Sequence, residues 1–295
     1  MESGSFNSTI RMLGPIAWLA LAAGLQMTGA LLFFRLPIDP ILIFSAAFIT
    51  FGVYLLNRFT DDEDNFNYPD QKFYFQKKSQ LKAIPIILIA FSILILLGTG
   101  RLVPWHVFLI IGGILYSINT IPSIQNYSLR FIRLKDVLFL KNLSVSVFWG
   151  LSSFIIAGGQ KGAVIPVEKA DLFIIVAAFC LTTLINTTTC DVRDVEGDRL
   201  AGVKTLATNF GKKTVGLMLL AVGVSASLIV GIYSMNGRIG RGGAAVLFFS
   251  AVIWTCFVAL PMYLKEFHLP KKISEPLIDT QQVFCGVALI ILSVT

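Results

Sequence analysis

Apolar segments of 13 to 21 residues recur along the whole chain, most of them near the roughly 20 residues that a helix needs to cross hydrocarbon. Nine such windows are read: Gly14–Phe34, Ile41–Leu56, Ala83–Leu97, Val103–Ile121, Val137–Ala157, Leu172–Ile185, Val215–Tyr233, Ala244–Leu264 and Val283–Thr295. The last is short and ends with the chain. Of the 295 residues 55% are hydrophobic and only 14% charged, and the mean hydropathy is +0.77, so there is too little polar surface to cover a soluble globule. The expected fold is an all-α integral membrane bundle of about nine transmembrane helices, with residues 1–295 forming a single transmembrane domain. The first window is too long for the apolar core of a signal peptide and no small-residue cleavage site follows it, so it is read as part of the mature bundle.

Basic residues accumulate on the cytoplasmic side of membrane proteins. Eighteen of the 24 Lys and Arg fall in the N-terminal tail and in the loops after windows two, four, six and eight. That asymmetry predicts a cytoplasmic N-terminus and explains the net charge of +7 as a topological bias. Anionic lipid headgroups are then nearer partners than nucleic acid, for which no reason is seen. The opposite linkers are short and rich in glycine and proline, as in Gly98-Thr-Gly-Arg-Leu-Val-Pro104. The four cysteines have no paired spacing, so neither a disulfide frame nor a zinc site is expected. His106 and His268 are read as surface or interfacial residues.

Two acid clusters interrupt the apolar pattern, both on the predicted cytoplasmic side. One is Asn57-Arg-Phe-Thr-Asp61-Asp62-Glu63-Asp64-Asn65, and the other is Asp191-Val-Arg-Asp194-Val-Glu-Gly-Asp198-Arg199. On a continued helix, Asn57, Asp61 and either Asp64 or Asn65 share a face, and Asp191, Asp194 and Asp198 repeat the pattern at i, i+3 and i+7. Carboxylates at the mouth of apolar segments need cations near them. Mg²⁺ suits, because it takes one or two protein carboxylates and completes its shell with water and phosphate oxygens. A single phosphate would not need two clusters, whereas a diphosphate bridged by two metal ions would. Read alone, Asp61 to Asp64 is equally a solvated acidic loop; the second cluster, followed by Arg199 and Lys204, adds basic groups able to meet phosphate.

These residues resemble the UbiA superfamily of intramembrane prenyltransferases, whose nine-helix bundle has a cytoplasmic catalytic cap and carries Asn-x-x-x-Asp-x-x-x-Asp after the second helix and Asp-x-x-x-Asp after the sixth. Asn57 and Asp61 match the first motif. Asp194 and Asp198 match the second, within the longer run from Asp191 to Ala207. Tyr116-Ser117, and Pro15 with Trp18, resemble further family elements. The chain departs from the pattern in four places: Asn65 stands where the third acid is usual, with Asp64 one residue early; Gly14 replaces an arginine, leaving Arg11 one turn away; Asp70 follows Pro69, with Lys72 nearby; and Thr120 replaces a basic residue.

The resemblance implies ionisation of an isoprenyl diphosphate and transfer of the chain to a lipophilic acceptor. Mg²⁺, with Mn²⁺ as the alternative ion, would be held by Asp61, Asp64, Asp191, Asp194 and Asp198, and Asn57 would hydrogen-bond the metal shell. Arg11, Lys72, Tyr116, Arg193, Arg199 and Lys204 are the expected substrate-binding residues. Aromatic rings such as Tyr54, Phe148 and Tyr116 would face the allylic cation in a dry tunnel. Among family acceptors an aromatic quinone precursor leads; a glycerol lipid, carotenoid or chlorin, or acceptor-free cyclisation or hydrolysis, are the alternatives. The expected setting is a prokaryotic cell membrane with a cytoplasmic active site. A transporter ranks lower, because transporters tend to carry charges inside broken spans, whereas here the charges stand at span ends.

Overall fold

Long apolar runs satisfy their own backbone polar groups only as helices when water is excluded, and helices make up most of the chain. A computed structural model describes residues 2–60, 81–118, 121–125, 128–238, 240–248 and 271–294. In order these form α1 (Glu2–Phe33), α2 (Pro40–Thr60), α3 (Ala83–Gly98), α4 (Pro104–Ser117), strands β1 (Ile121–Gln125) and β2 (Ser128–Ile132), a 3₁₀ turn (Leu134–Asp136) and α5 (Leu140–Gly158). There follow α6 (Lys169–Ala201), the short α7 (Leu206–Phe210), α8 (Lys212–Met235), α9 (Arg241–Phe248) and α10 (Lys271–Val294).

Six of the described helices are long and apolar enough to cross a membrane: α1 from Leu13, α2, α5, α6, α8 and α10 from Ser274. α3 and α4 are shorter apolar helices. The eighth window is described only as far as Phe248, and its remainder lies outside the described residues. The outer surfaces of α3 and α8 carry exposed Ile87, Leu94, Leu217 and Leu228, as expected of faces turned to lipid rather than water.

Four elements differ from the windows, α1 by starting at Glu2, well before Gly14. α4 stops at Ser117 instead of Ile121, and the chain turns into an antiparallel hairpin in which Ile121 pairs with Ile132 and Gln125 with Ser128. α6 continues well beyond Ile185 through a threonine-rich stretch. Those threonines lower the hydropathy but not the helicity, because Thr182, Thr183 and Thr189 donate back to the carbonyls of Ala178, Phe179 and Ile185. α10 begins at Lys271, twelve residues before the last window. Its polar first half is buried against partners: Asn186 Nδ2 donates to the Ile278 carbonyl at 2.8 Å, and Gln282 exchanges amide hydrogen bonds with Gln26 and Thr183 at 3.3 Å.

The first and last helices pack together, and in parallel. Trp18 Nε1 donates to Thr280 Oγ1 at 3.1 Å, Gln26 meets Gln282, and Gly29 lies against Ile290. The approach is close because both helices present glycine: a Cβ on Gly29 would stand 2.8 Å from the Ile290 nitrogen, and one on Gly286 would stand 2.6 Å from Leu25 Cβ. Small residues let helix backbones come this near where no water drives association. Parallel α1 and α10, with antiparallel neighbours between, bring the C-terminal ends of α2, α4 and α6 and the N-terminal ends of α5, α8 and α10 to one end of the bundle. Most Lys and Arg lie there, and we term it the basic end.

The opposite end is a dry core. Phe33, Phe34, Phe154 and Phe179 pack edge to face with ring centroids 5.4 to 5.9 Å apart, and Met27, Leu31 and Leu289 surround them.

Candidate functional site

α6 carries the second acid cluster on one continuous helix, as its spacing predicts. The helix ends at Gly202, whose φ of +71° is the left-handed conformation that closes helices; the Val203 N–H then bonds the Asp198 carbonyl at 2.8 Å. Asp191 and Asp198 are buried, 3% and 2% exposed, so each carboxylate has left bulk water and needs polar partners. Lys141 Nζ, at the start of α5, donates to Asp191 Oδ1 at 2.7 Å, and Asn142 Nδ2 donates to Asp191 Oδ2 at 2.8 Å and to Thr188 Oγ1 at 3.1 Å. Each Asp191 oxygen retains a second lone pair for another ligand. One turn on, Arg193 grips Asp194 through Nη2 at 2.6 Å and Nε at 3.1 Å.

Beside these groups a cavity of about 1220 Å³ opens among α1 to α5. Asn57, Thr60, Lys82, Tyr116, Arg133 and Asp136 stand at its basic end. Tyr54, Phe148 and Trp149 form an aromatic wall, with Trp149 Nε1 donating to Tyr54 Oη at 2.9 Å and the two rings edge to face at 6.2 Å. Met27, Leu42 and Ile156 line the far end. The gradient from charged mouth to hydrocarbon floor fits a molecule with an anionic head and an apolar chain. The α6 carboxylates do not line this cavity. Their link to it is Lys141, which holds Asp191 and stands within electrostatic range of Tyr116 on the cavity wall.

The structure brings Asn57 and Tyr116 to the cavity mouth and groups Asp191, Arg193, Asp194 and Asp198 behind it. Arg199 and Lys204 are exposed beyond, Arg199 lying 3.6 Å from Glu196. Asp61, Asp64 and Lys72, and the side chain of Arg11, lie outside the described residues. Among the described residues no three His, Cys, Asp or Glu side chains are grouped to hold a metal ion, so the α6 set alone is incomplete. Its chemistry nonetheless fits Mg²⁺, being all carboxylate oxygen. His106 corrects the sequence reading: it is 4% exposed, lines the cavity's far end, and its Nδ1 accepts from the Val103 N–H at 3.1 Å. A histidine near a helix start reads as interfacial until that local hydrogen bond is seen. His268 lies outside the described residues.

Several residues of the site escape sequence reasoning. Lys141 and Arg133 count there only as topological charges, although one holds Asp191 and the other clamps Asp136 at 2.7 Å on the cavity rim. Asn142 carries no signal of its own. Glu275 and Asp279 of α10 are buried carboxylates, and Glu275 forms an ion pair with Arg58 of α2. Their i, i+4 spacing is the one hint the sequence holds.

An apolar multi-helix bundle with buried carboxylates and a head-and-tail cavity at one end defines a membrane-embedded enzyme acting on an amphipathic substrate. The chain belongs to the UbiA prenyltransferase family, whose model matches residues 75–267, and is thus a multi-pass membrane prenyltransferase. The fold is similar to that of a UbiA homologue from Archaeoglobus fulgidus bound to DMAPP and Mg²⁺, with TM-score 0.64 and 17% identity over 95% of this chain and 98% of that one. The same homologue bound to GPP and Mg²⁺ matches with TM-score 0.60 and 18% identity, covering 96% and 99% of the two chains. Digeranylgeranylglyceryl phosphate synthase matches with TM-score 0.54 and 16% identity, covering 98% of each. A search of curated protein sequences finds no match.

Proposed function

We propose that the protein transfers an isoprenyl chain from an isoprenyl diphosphate to a lipophilic acceptor, in a Mg²⁺-dependent reaction at the basic end of the bundle. The observation that carries this reading is the cavity itself, which joins a polar mouth, with Asn57 beside the charges of Lys82 and Arg133, to an aromatic wall and a hydrocarbon floor. DMAPP and GPP, each with Mg²⁺, are what the A. fulgidus homologue binds, and both have this head-and-tail shape.

Asp191, Asp194 and Asp198, with Asp61 and Asp64, would hold the metal. Bound there, Mg²⁺ supplies neutralisation of the charge that builds on the departing diphosphate. The chain's own groups do the rest. Lys141 and Asn142 hold Asp191 in place through hydrogen bonds to its two oxygens. Asn57 donates from the end of α2 toward the head group, and Tyr116 closes the mouth from α4. Arg11, Lys72, Arg193, Arg199 and Lys204 supply cationic contacts to the diphosphate. The Tyr54–Trp149 hydrogen bond holds two ring faces on the wall where the allylic cation forms, and the apolar floor excludes water that would quench it.

The acceptor is proposed to be an aromatic quinone precursor bearing an anionic group. Lys82 and Arg133 at the rim favour a carboxylate or phosphate on the acceptor, so a glycerol phosphate lipid, as in digeranylgeranylglyceryl phosphate synthase, is the second reading. The proposed setting is a prokaryotic cell membrane with the basic end in the cytoplasm. The test is product analysis with a radiolabelled series of donors against hydroxybenzoate, naphthoate and glycerol phosphate acceptors, with and without Mg²⁺. A prenylated ring is expected. A prenylated glycerol lipid would select the second reading, a cyclised or hydrolysed chain without acceptor would replace transfer by those reactions, and undiminished rates after chelation would overturn the metal's role.

A further inference from the structure

The last helix contributes two buried carboxylates that neither acid cluster includes. Glu275 and Asp279 lie one turn apart on the same face of α10, and both are buried, 7% and 6% exposed. Like charges at that spacing repel, and burial deepens the penalty unless cations stand against them. The cations come from two other helices. Arg58 of α2 pairs with Glu275, their side chains 13% and 9% exposed. Arg193 of α6, with a side chain 7% exposed, is bound to Asp194 and lies within electrostatic range of Asp279. The Asn186 hydrogen bond to the Ile278 carbonyl fixes α6 against α10 beside Asp279.

A buried ion pair adds little net stability compared with an apolar replacement of equal volume, and its better-attested use is to select one packing register. Here the register matters. Arg58 follows Asn57 directly, so clamping Arg58 to α10 sets the rotation of the last turn of α2 and turns Asn57 to the cavity. We propose that Glu275 is a positioning residue that ties the first motif helix, α2, to α10 through Arg58. It touches neither substrate nor metal. The proposal rests on the metal-diphosphate reading above.

The test measures binding apart from turnover. Inorganic pyrophosphate with Mg²⁺ raises the melting temperature of a protein that binds the pair, by an amount set by concentration over Kd. Glu275→Gln is expected to raise the Mg²⁺ requirement and the pyrophosphate Kd by about 10- to 100-fold, the usual loss when a group supporting a metal ligand is removed. Donor KM should rise with them, while kcat at saturating Mg²⁺ falls less. The exchanged pair Arg58→Glu with Glu275→Arg should recover most of the loss. Asp39→Asn, which breaks an ion pair with Arg101 at the opposite end, should lower the ligand-free melting temperature and leave Mg²⁺ and pyrophosphate binding unchanged. Should Glu275→Gln fail to purify, Glu275→Asp gives the same readouts. Unchanged Mg²⁺ and pyrophosphate affinity in Glu275→Gln, with a responsive wild type, would overturn the positioning role alone. A wild type with no Mg²⁺-dependent pyrophosphate response would overturn the metal-diphosphate reading and this one with it.

Discussion

The two ends of the bundle solve burial in opposite ways. At the far end, Phe33, Phe154 and Phe179 bury apolar area against one another and need no specific partner. At the basic end, Asp191 and Glu275 are buried and Asp194 half-buried, and each is met by a cation from another element or its own helix. Apolar packing tolerates rearrangement if volume is kept, whereas a charged network fails when one member is lost. The far end therefore holds the helices together, and the basic end specifies how they are rotated.

Substitutions that treat the two ends alike should yield different phenotypes. The largest contrast is in turnover. Asp194→Ala and Asp198→Ala should each lower isoprenyl diphosphate consumption by about 10²-fold or more, with normal membrane insertion and purification. Phe154→Ala, at the other end, should lower stability by about 3–5 kcal/mol without changing the rate per folded molecule. Wild-type turnover in both aspartate variants would remove α6 from the chemistry.

Next in size is Lys141→Met, which leaves Asp191 buried without its cation. A loss of about 3–5 kcal/mol is expected in micelle unfolding experiments, and the double variant Lys141→Met with Asp191→Leu should recover most of it while remaining inactive. Equal stability of the single and double variants would show that the pair is not coupled.

Gly286→Ala probes the seam joining the ends. Its new Cβ would meet Leu25 Cβ at 2.6 Å and the Gln26 nitrogen at 3.1 Å, so α1 and α10 must part, lowering stability by about 1–3 kcal/mol. An unchanged melting temperature would mean that the seam relaxes freely.

The smallest effect is in pH. Asp136 lies outside the spans on the cavity rim; burial pushes its carboxyl up, but the hydrogen bonds and charge of Arg133 outweigh that and hold it below its ordinary value of 3.8. A folded pKa below the unfolded one means that the stabilisation is present above 3.8 and is lost as pH falls through the lower folded value. Since the pair is partly solvated, less than about 1 kcal/mol is expected. Asp136→Asn should flatten this acid-side step in a melting-temperature titration, and an unaltered step would assign it to other carboxylates.

Much of this architecture is legible in the residue order. The apolar windows locate most helices, and the spacing of Asp191, Asp194 and Asp198 predicts the face they share on α6. The misread boundaries have a common cause. Thr187 to Thr189 and the stretch from Glu275 to Gln282 look too polar to lie inside a bundle, yet both do, because hydroxyls bond back to their own helix and amides and carboxylates find partners on others. Hydropathy scores each residue against lipid, whereas these residues face protein. The hairpin after α4 is hidden for a related reason: Ile118 and Ile121 extend the apolar run past the point where the helix ends.

Composition and periodicity were enough to establish a helical membrane bundle, its basic end and the acids of the second cluster, since these follow from local propensity and from the free energy of removing each side chain from water. Partnership was a different matter. That Lys141 meets Asp191 across 50 positions of chain, that Arg58 meets Glu275 across 217, and that a head-and-tail cavity lies beside them, follow from helix packing, because a charge in a low-dielectric interior is stable only where another element delivers its counter-charge.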